Sequence, residues 1–334
     1  MERGPGPGPA RAPERRSGGI LKAWAIRAVQ LALTVVVTWF IVDRVGFGLD
    51  DLRALDPSVW TPTPGLFLLS CVLLFGGYAG SAWIWGRIVV DLGGPSIPAP
   101  RAVRIFMVAN LGRYVPGKVW QIAGLAVLAR RAGVPGTTAT AAAVVGQGVA
   151  LVAASAVGLG ALFAGPPEWR AVSALGGGAL AAAVGIGLLP PVFDRVVGLW
   201  FRLARQEAPA SLHSGHAVRW LGLYLVNWIV YAASFWVLAE SLGLSAGPIP
   251  VAASFAAAWV LGYVMIFAPA GVGVREGFLV ALLTPHLGPA QSGALAVVAR
   301  LWTTAVEVVP AGWFWLRHLT EAQPTAGDEG ATHE

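Results

Sequence analysis

The chain has 334 residues, of which 56% are hydrophobic and only 12% are charged, and its mean hydropathy is +0.67. Soluble domains carry about 25% charged residues, so this composition excludes a soluble globular protein and indicates a polytopic membrane protein. The net charge of +6 is dispersed among short segments, which favours basic loops beside a membrane over a nucleic-acid-binding patch.

Six apolar segments are long enough to cross about 30 Å of hydrocarbon. They are residues 22–45, 63–88, 137–163, 171–191, 218–243 and 291–316. The first follows a Pro-, Gly- and Arg-rich stretch in residues 1–21, which is predicted to be a disordered basic cytoplasmic tail. Because no small-residue cleavage site follows it, we expect a retained anchor rather than a signal peptide.

The remaining parts of the chain are shorter or interrupted. Residues 50–60 (DDLRALDPSVW) predict a surface helix or loop, and residues 196–208 (VVGLWFRLARQEA) predict an amphipathic interfacial helix. Residues 319–334 form a short acidic tail. Two further apolar segments, 103–129 and 251–285, are each interrupted by a Pro-Gly cluster.

The distribution of Lys and Arg predicts the topology, because cytoplasmic loops carry an excess of these residues. With the N-terminus in the cytoplasm, only Arg44, Arg53 and Arg170 fall on the outer side. Fifteen fall on the cytoplasmic side: Arg3, Arg11, Arg15, Arg16, Lys22, Arg87, Arg101, Arg104, Arg130, Arg131, Arg195, Arg202, Arg205, Arg219 and Arg317. We therefore predict a multi-pass protein of the plasma (inner) membrane with both termini in the cytoplasm.

The same distribution predicts that segment 103–129 begins and ends in the cytoplasm, since arginines flank it on both sides. At about 1.5 Å per residue the segment is too short for two full crossings, so we expect a re-entrant helix hairpin. Segment 251–285 should begin and end outside. It is predicted to be a second re-entrant hairpin, although its length would also permit two thin crossings.

The spacing of these segments predicts an internal repeat. Gln147 follows Pro116 by 31 residues, and Arg300 follows Pro269 by 31 residues as well. Because the two segments enter from opposite sides, we predict inverted repeat units at about 63–163 and 218–316. Transporters with such repeats place a substrate site near the midplane, between discontinuous helices.

The predicted fold class is therefore an all-α polytopic membrane protein. It has about six full transmembrane helices plus two re-entrant helix hairpins in an inverted repeat. Residues 22–318 form a single transmembrane domain.

Polar residues near the interruptions are the candidate site, because ionisable groups inside a membrane are costly and mark functional positions. The predicted helix breaks are Pro116, Gly117, Pro269, Gly271 and Gly273. The candidate substrate-binding residues are Asn110, Arg113, Lys118, Gln121, Arg275, Glu276, Arg300 and Glu307. We expect the cations among them to bind an anionic headgroup, assisted by helix N-termini at the breaks.

Structural roles for the same charges stay open. Arg275 can pair with Glu307, and Arg300 can pair with Glu276, as ties between the repeats. Arg113 and Lys118 can instead extend to the cytoplasmic headgroups.

The other polar and aromatic residues suit ordinary membrane packing. Gln121, Gln147 and Asn227 are typical of hydrogen bonds between helices. Most of the fifteen Trp residues suit anchoring at the membrane interface.

No pattern in the sequence indicates an enzyme. The five His residues lack metal-ligand spacing, Cys71 is the only cysteine, and no phosphate-binding loop or Ser/His/Asp set occurs. We predict no catalytic residue, no metal and no cofactor. Movement of a substrate would be passive or ion-coupled, with Glu276 and Glu307 as a hypothetical proton route.

The segments NLGRYVPGKVWQ and LARRAGVP, followed by PAGVGVREG and ARLWTTAVE, resemble the flippase-like family related to the transmembrane region of lysylphosphatidylglycerol synthase. The resemblance covers about residues 22–318 and implies a lipid translocase fold with two facing re-entrant hairpins. It assigns the substrate path to Asn110, Pro116, Gly117, Lys118, Gly271, Gly273, Arg275 and Glu276.

Two features depart from that family pattern. Gly146 and Gln147 stand where many relatives are expected to carry a charge, which would alter a polar contact opposite Arg300. The sequence ends at Glu334 after the acidic tail, so we expect no soluble aminoacyltransferase domain and no synthase activity.

We therefore predict a flippase-like transporter that moves an anionic, phosphate-bearing lipid or lipid-linked headgroup between leaflets. Its partners would be membrane lipids, with no nucleic acid, and a homo-oligomer or a partner enzyme is possible. Three alternatives stay open. They are a non-catalytic subunit or scaffold for a lipid-modifying or glycosyltransferase enzyme, a small-anion transporter, and a membrane-embedded lipid-modifying enzyme that uses Glu276 or Tyr114.

Overall fold

The computed structural model describes residues 61–114, 119–203, 213–265 and 273–321, and the regular structure within these ranges is helical. The helices are α1 Pro64–Asp91, α2 Ala99–Asn110, α3 Val119–Arg130, α4 Gly136–Phe163, α5 Arg170–Leu188, α6 Pro190–Leu203, α7 Ser214–Ser241, α8 Pro248–Val264, α9 Val274–Leu287 and α10 Pro289–Glu321. Short 3₁₀ turns cover Leu111–Tyr114 and Pro167–Trp169. The predictions for residues 1–60 and 322–334 lie outside the described residues.

Five of the described helices are long and apolar enough to cross a membrane: α1, α4, α5 with its preceding turn, α7 and α10. They confirm five of the six predicted full spans, with ends that differ by a few residues. The sixth predicted span, residues 22–45, lies outside the described ranges. The chain is an integral membrane protein, because five described helices combine the length and the apolar composition that a membrane crossing requires.

Helices α1 and α7 lie antiparallel along their whole length. At one end, the Thr63 N–H donates to the Ser241 carbonyl oxygen at 2.7 Å. At the other end, Asp91 accepts hydrogen bonds from the Arg219 guanidinium and the Trp220 indole. These contacts fix the register of the two helices that form the centre of the bundle.

Small residues allow α4 and α8 to approach closely. A Cβ atom added at Gly158 would lie 2.8 Å from the Ala257 backbone nitrogen. Membrane helices pack through such small residues because lipid tails provide no hydrophobic force between helices. The Gly- and Ala-rich sequence of α4 therefore serves packing.

Each interrupted segment contains two short helices. Helices α2 and α3 flank residues 115–118, and helices α8 and α9 flank residues 266–272. Arg101 Nη2 in the first turn of α2 donates to the Arg131 carbonyl oxygen, just beyond α3, at 3.3 Å. Helices α2 and α3 consequently lie side by side with their outer ends together.

The order long, short, short, long occurs twice, in α1–α4 and in α7–α10. Of the predicted helix breaks, Gly273 is described, directly before α9 with a φ of 79°. The breaks at Pro116, Gly117, Pro269 and Gly271 lie outside the described residues, as does Lys118.

Candidate functional site

A central cavity lies between the two interrupted segments, and α1, α4 and α7 complete its wall. The cavity volume, including the solvent-filled opening, is about 880 Å³. The first interrupted segment contributes Phe106, Asn110, Arg113, Gln121, Ile122 and Leu125, and the second contributes Phe255, Trp259 and Arg275. The other helices contribute Leu74, Tyr78, Ser81, Trp85, Ala142, Ala143, Gly146, Gln147, Ala150, Tyr224, Trp228 and Tyr231.

Asn110 and Gln121 form a polar pair across the α2–α3 hairpin. Gln121 Nε2 donates to Asn110 Oδ1 at 2.6 Å. Asn110 is only 1% exposed, and its Nδ2 group has no hydrogen-bond partner among the described residues. Because a buried, unsatisfied N–H group costs free energy, this amide is available to an acceptor that enters the cavity.

Arg275 is the second residue of α9 and lines the same cavity. Its guanidinium lies 4.6 Å from the centroid of the Phe255 ring, within the range of a cation–π contact. It forms no ion pair with a carboxylate in the described part of the chain. The absence of a side chain at Gly262 lets α8 pass close to the Arg275 Cβ atom.

Glu307 on α10 is a buried carboxylate that accepts hydrogen bonds from three side chains. Arg113 Nη1 donates to Oε1 at 2.6 Å, Tyr114 donates to Oε2 at 2.7 Å, and Tyr78 also donates to Oε1. The alternative that paired Arg275 with Glu307 is therefore wrong. So is the extension of Arg113 to the headgroups, because a carboxylate distant in sequence neutralises that arginine inside the protein.

Glu276 and Arg300 form the second ion pair near the cavity. Arg300 Nη1 lies 3.5 Å from Glu276 Oε1, so the structure contains the pairing that the sequence left open as an alternative. Glu276 Oε2 accepts the Gly273 N–H at 2.6 Å and so caps the start of α9. The Arg300 guanidinium also lies 5.8 Å from the Tyr114 ring centroid.

The structure thus divides the predicted site residues into two groups. Asn110, Arg113, Gln121 and Arg275 line the cavity. Glu276, Arg300 and Glu307 do not line the cavity and form ion pairs with other residues of the protein. Gln147 lines the cavity as well, whereas Arg300, which was expected opposite it, does not.

Helices α1 and α7 carry a hydrogen-bonded network beside the cavity. Asn227 Nδ2 donates to Ser81 Oγ at 2.9 Å, and Ser81 also shares a 3.1 Å hydrogen bond with the Tyr231 hydroxyl. Gly80 leaves the space that the Asn227 side chain occupies. The predicted role of Asn227 as a hydrogen bonder between helices is confirmed.

The aromatic side chains that α1 and α7 contribute to the cavity wall were not predicted from the sequence. They are Tyr78, Trp85, Tyr224, Trp228 and Tyr231. Trp85 and Trp228 are buried inside the protein, so they are exceptions to the prediction that most Trp residues anchor the chain at the membrane interface. The sequence signal that could have identified this wall is the spacing of polar and aromatic residues along each helix. Ser81 and Trp85 are four residues apart, as are Tyr224 and Trp228, which places each pair on one helix face.

The model of one protein family, the lysylphosphatidylglycerol synthase transmembrane region, matches residues 27–311. The chain belongs to this family. The match confirms the resemblance seen in the short motifs and contains the residues that line the central cavity, from Leu74 to Arg275. No curated protein matches the chain. As a member of the lysylphosphatidylglycerol synthase transmembrane family, the protein shares with that family the helical membrane region described above.

Proposed function

We propose that the chain moves an anionic lipid between the two leaflets, with the phosphate-bearing headgroup passing through the central cavity. The observation that carries this proposal is the position of Arg275. It is a cation at the N-terminal end of a short helix, it lines the cavity, and no described carboxylate lies within ion-pair distance of it. A phosphate group would form charge-assisted hydrogen bonds with it.

The neighbouring groups suit the remaining oxygen atoms of such a headgroup. The Asn110 Nδ2 group supplies an unpartnered donor, and Gln147 and Tyr224 add polar side chains to the wall. The N-terminus of α9, where the Gly273 N–H already donates to Glu276, also carries a partial positive charge. We retain Lys118 as a further cation of the path on the grounds given by the sequence.

The membrane arrangement is part of the proposal. We propose that the α2–α3 and α8–α9 pairs are re-entrant hairpins that enter from opposite sides as an inverted repeat. The hydrogen bond between Arg101 and the Arg131 carbonyl supports this, since it places both outer ends of the first pair together. The twofold order of long and short helices supports the repeat. Both termini would face the cytoplasm.

We propose that the chain itself is not an enzyme. The candidates for a reacting group, Tyr114 and Glu276, both have structural partners. Tyr114 donates to Glu307, and Glu276 accepts from the Gly273 N–H and lies beside Arg300. Neither residue lines the central cavity, where a lipid headgroup would react.

Reconstitution of the purified chain in proteoliposomes tests this function. One set of vesicles contains fluorescent phosphatidylglycerol, a second contains fluorescent phosphatidylcholine, and a third contains radiolabelled inorganic phosphate in its lumen. Dithionite quenches only the fluorophore in the outer leaflet. We expect the protein to reduce the dithionite-protected fraction of the fluorescence for phosphatidylglycerol only. Release of phosphate without lipid movement would favour a small-anion transporter, and movement of neither would favour a scaffold.

A further inference from the structure

A second cleft lies at the end of the bundle where α2 begins and α3 ends, beside the last turns of α10. The volume of the cleft, including its solvent-filled opening, is about 540 Å³. It is lined by Arg101, Arg104, Ile105, Val108, Leu128, Arg131, Ala132, Phe314 and Trp315. It shares none of these residues with the central cavity, so it is a separate feature of the surface.

The rim of this cleft is cationic. Arg101 and Arg104 come from the first turns of α2, and Arg131 comes from the residue after α3. No aspartate or glutamate of the described ranges lines the cleft. The hydrogen bond from Arg101 to the Arg131 carbonyl holds the two exposed arginine positions next to each other.

The floor and one wall of the cleft are apolar. Ile105 is buried beneath the arginines, and Val108 and Leu128 extend the apolar surface along α2 and α3. On the α10 side, Phe314 and the exposed Trp315 close the wall. A Trp beside a row of arginines is typical of a membrane–water interface, and basic pockets between membrane helices bind anionic headgroups.

We propose that this cleft binds an anionic phospholipid from the surrounding leaflet, separately from the lipid that is translocated. The phosphate would lie between Arg101 and Arg131, and the glycerol backbone and first acyl carbons would pack on Phe314 and Trp315. Occupancy would join α2, α3 and α10 at one end of the bundle. The site would therefore make the stability of the α2–α3 pair depend on anionic lipid.

The lipid fits this cleft better than the acidic tail of the chain does. Residues 322–334 (AQPTAGDEGATHE) contain no large apolar side chain. The tail would satisfy the arginines but leave the apolar floor and the Trp315 indole uncovered. A phospholipid supplies an anionic group for the arginines at the rim and apolar surface for the floor and the Trp315 side of the cleft.

Lipid binding by the purified full chain tests the proposal. Native mass spectrometry in detergent would compare binding of short-chain phosphatidylglycerol and short-chain phosphatidylcholine. The Arg275→Gln variant is used, because headgroup binding in the central cavity should be weakened in it. We expect selective phosphatidylglycerol binding to persist in that background. R101Q/R131Q should weaken it by roughly tenfold or more, because each arginine near the membrane surface contributes to anionic-lipid attraction.

Two controls separate this site from general charge effects and from misfolding. R195Q/R202Q removes the same charge from exposed positions on α6 and should leave selective binding unchanged. Trp315→Ala should weaken binding of both lipids while the arginines remain. Melting temperatures measured without added lipid identify a variant that fails to fold, in which case Arg131→Gln alone replaces the double variant.

Three results would overturn the proposal. The first is complete loss of selectivity in Arg275→Gln alone, which would assign all headgroup binding to the central cavity. The second is an equal loss in R101Q/R131Q and in the α6 control. The third is a severalfold rise in phosphatidylglycerol affinity on deletion of residues 322–334, which would show that the tail occupies the cleft. None of these results depends on whether the protein translocates lipid.

Discussion

Arg113 and Glu307 are 194 positions apart in the sequence, and their side chains form a 2.6 Å ion pair inside the protein. The pair joins the turn after α2 to the last long helix, α10. Glu307 is only 2% exposed, and two tyrosine hydroxyls complete its hydrogen bonds. The pair therefore distinguishes the two arginines that line the cavity. Arg113 forms an ion pair with Glu307, whereas Arg275 has no carboxylate within ion-pair distance among the described residues.

Breaking this buried pair should strongly destabilise the fold. We expect Arg113→Gln to reduce stability by about 3–5 kcal/mol, because it leaves the buried Glu307 charge uncompensated. Glu307→Gln should cost less, because the Arg113 side chain is 25% exposed. The double variant should lose less than the sum of the two. Thermal unfolding in detergent measures all three variants.

The pair of Arg219 with Asp91 provides the control for that prediction. The Arg219 side chain is 45% exposed, and Asp91 keeps the Trp220 indole as a donor when the arginine is removed. We expect Arg219→Gln to cost about 0–1 kcal/mol. Equal losses of stability at the exposed and the buried pair would contradict the role assigned to Glu307.

Two glycines of α4 should respond in opposite ways to the same substitution. Gly158→Ala places a Cβ atom against the Ala257 backbone and should lower the melting temperature, since α4 and α8 must separate. Gly148 has open space around it. Gly148→Ala should raise helix stability by up to about 1 kcal/mol. Thermal unfolding of both purified variants in detergent measures these two changes. A higher melting temperature for Gly158→Ala than for the wild type would contradict the packing of α4 against α8.

Asn110→Asp tests the free amide of the cavity with almost no change in shape. The new carboxylate still accepts the hydrogen bond from Gln121, but it replaces the unpartnered N–H donor with a negative charge. Translocation of phosphatidylglycerol should fall, because the new carboxylate would repel the phosphate and compete with it for Arg275. Asn110→Ser, which is neutral, is the control, and it should retain more activity. Equal activity of the Asp and Ser variants would remove Asn110 from the path.

Cysteine labelling tests the proposed topology. In a Cys71→Ser background, Arg131→Cys should react with an impermeant maleimide only after cells are permeabilised. Glu168→Cys, at an exposed turn before α5, should react in intact cells. Labelling of Arg131→Cys from outside would refute the cytoplasmic placement of the α2–α3 ends and with it the re-entrant hairpin.

The long helices were predictable because their apolar length is a local property of the sequence. The ends of α4 differ from the predicted span by a single residue, and Pro-Gly clusters marked the two interruptions. The Glu276–Arg300 pair was one of two structural pairings that the sequence left open, and the structure contains it. These features depend on composition and on spacing within one segment.

The partner of Glu307 was not predictable in this way. Its choice of Arg113 over Arg275 depends on how α10 packs against the turn after α2, and no local pattern encodes that packing. The buried Trp85 and Trp228 were missed for a related reason. A Trp suits an interface and a cavity wall equally well by chemistry, so only the tertiary arrangement distinguishes them.

The central claim is that Arg275 binds the headgroup of a translocated anionic lipid. The measurement that tests it most directly is the phosphatidylglycerol translocation rate in proteoliposomes, with wild type, Arg275→Gln, Arg275→Lys and Arg219→Gln inserted in equal amounts. We predict a fall of at least about tenfold for Arg275→Gln, because hydrogen bonds to charged groups are strong. Arg275→Lys should recover part of the rate, and Arg219→Gln should match the wild type. A wild-type rate in Arg275→Gln would contradict the claim.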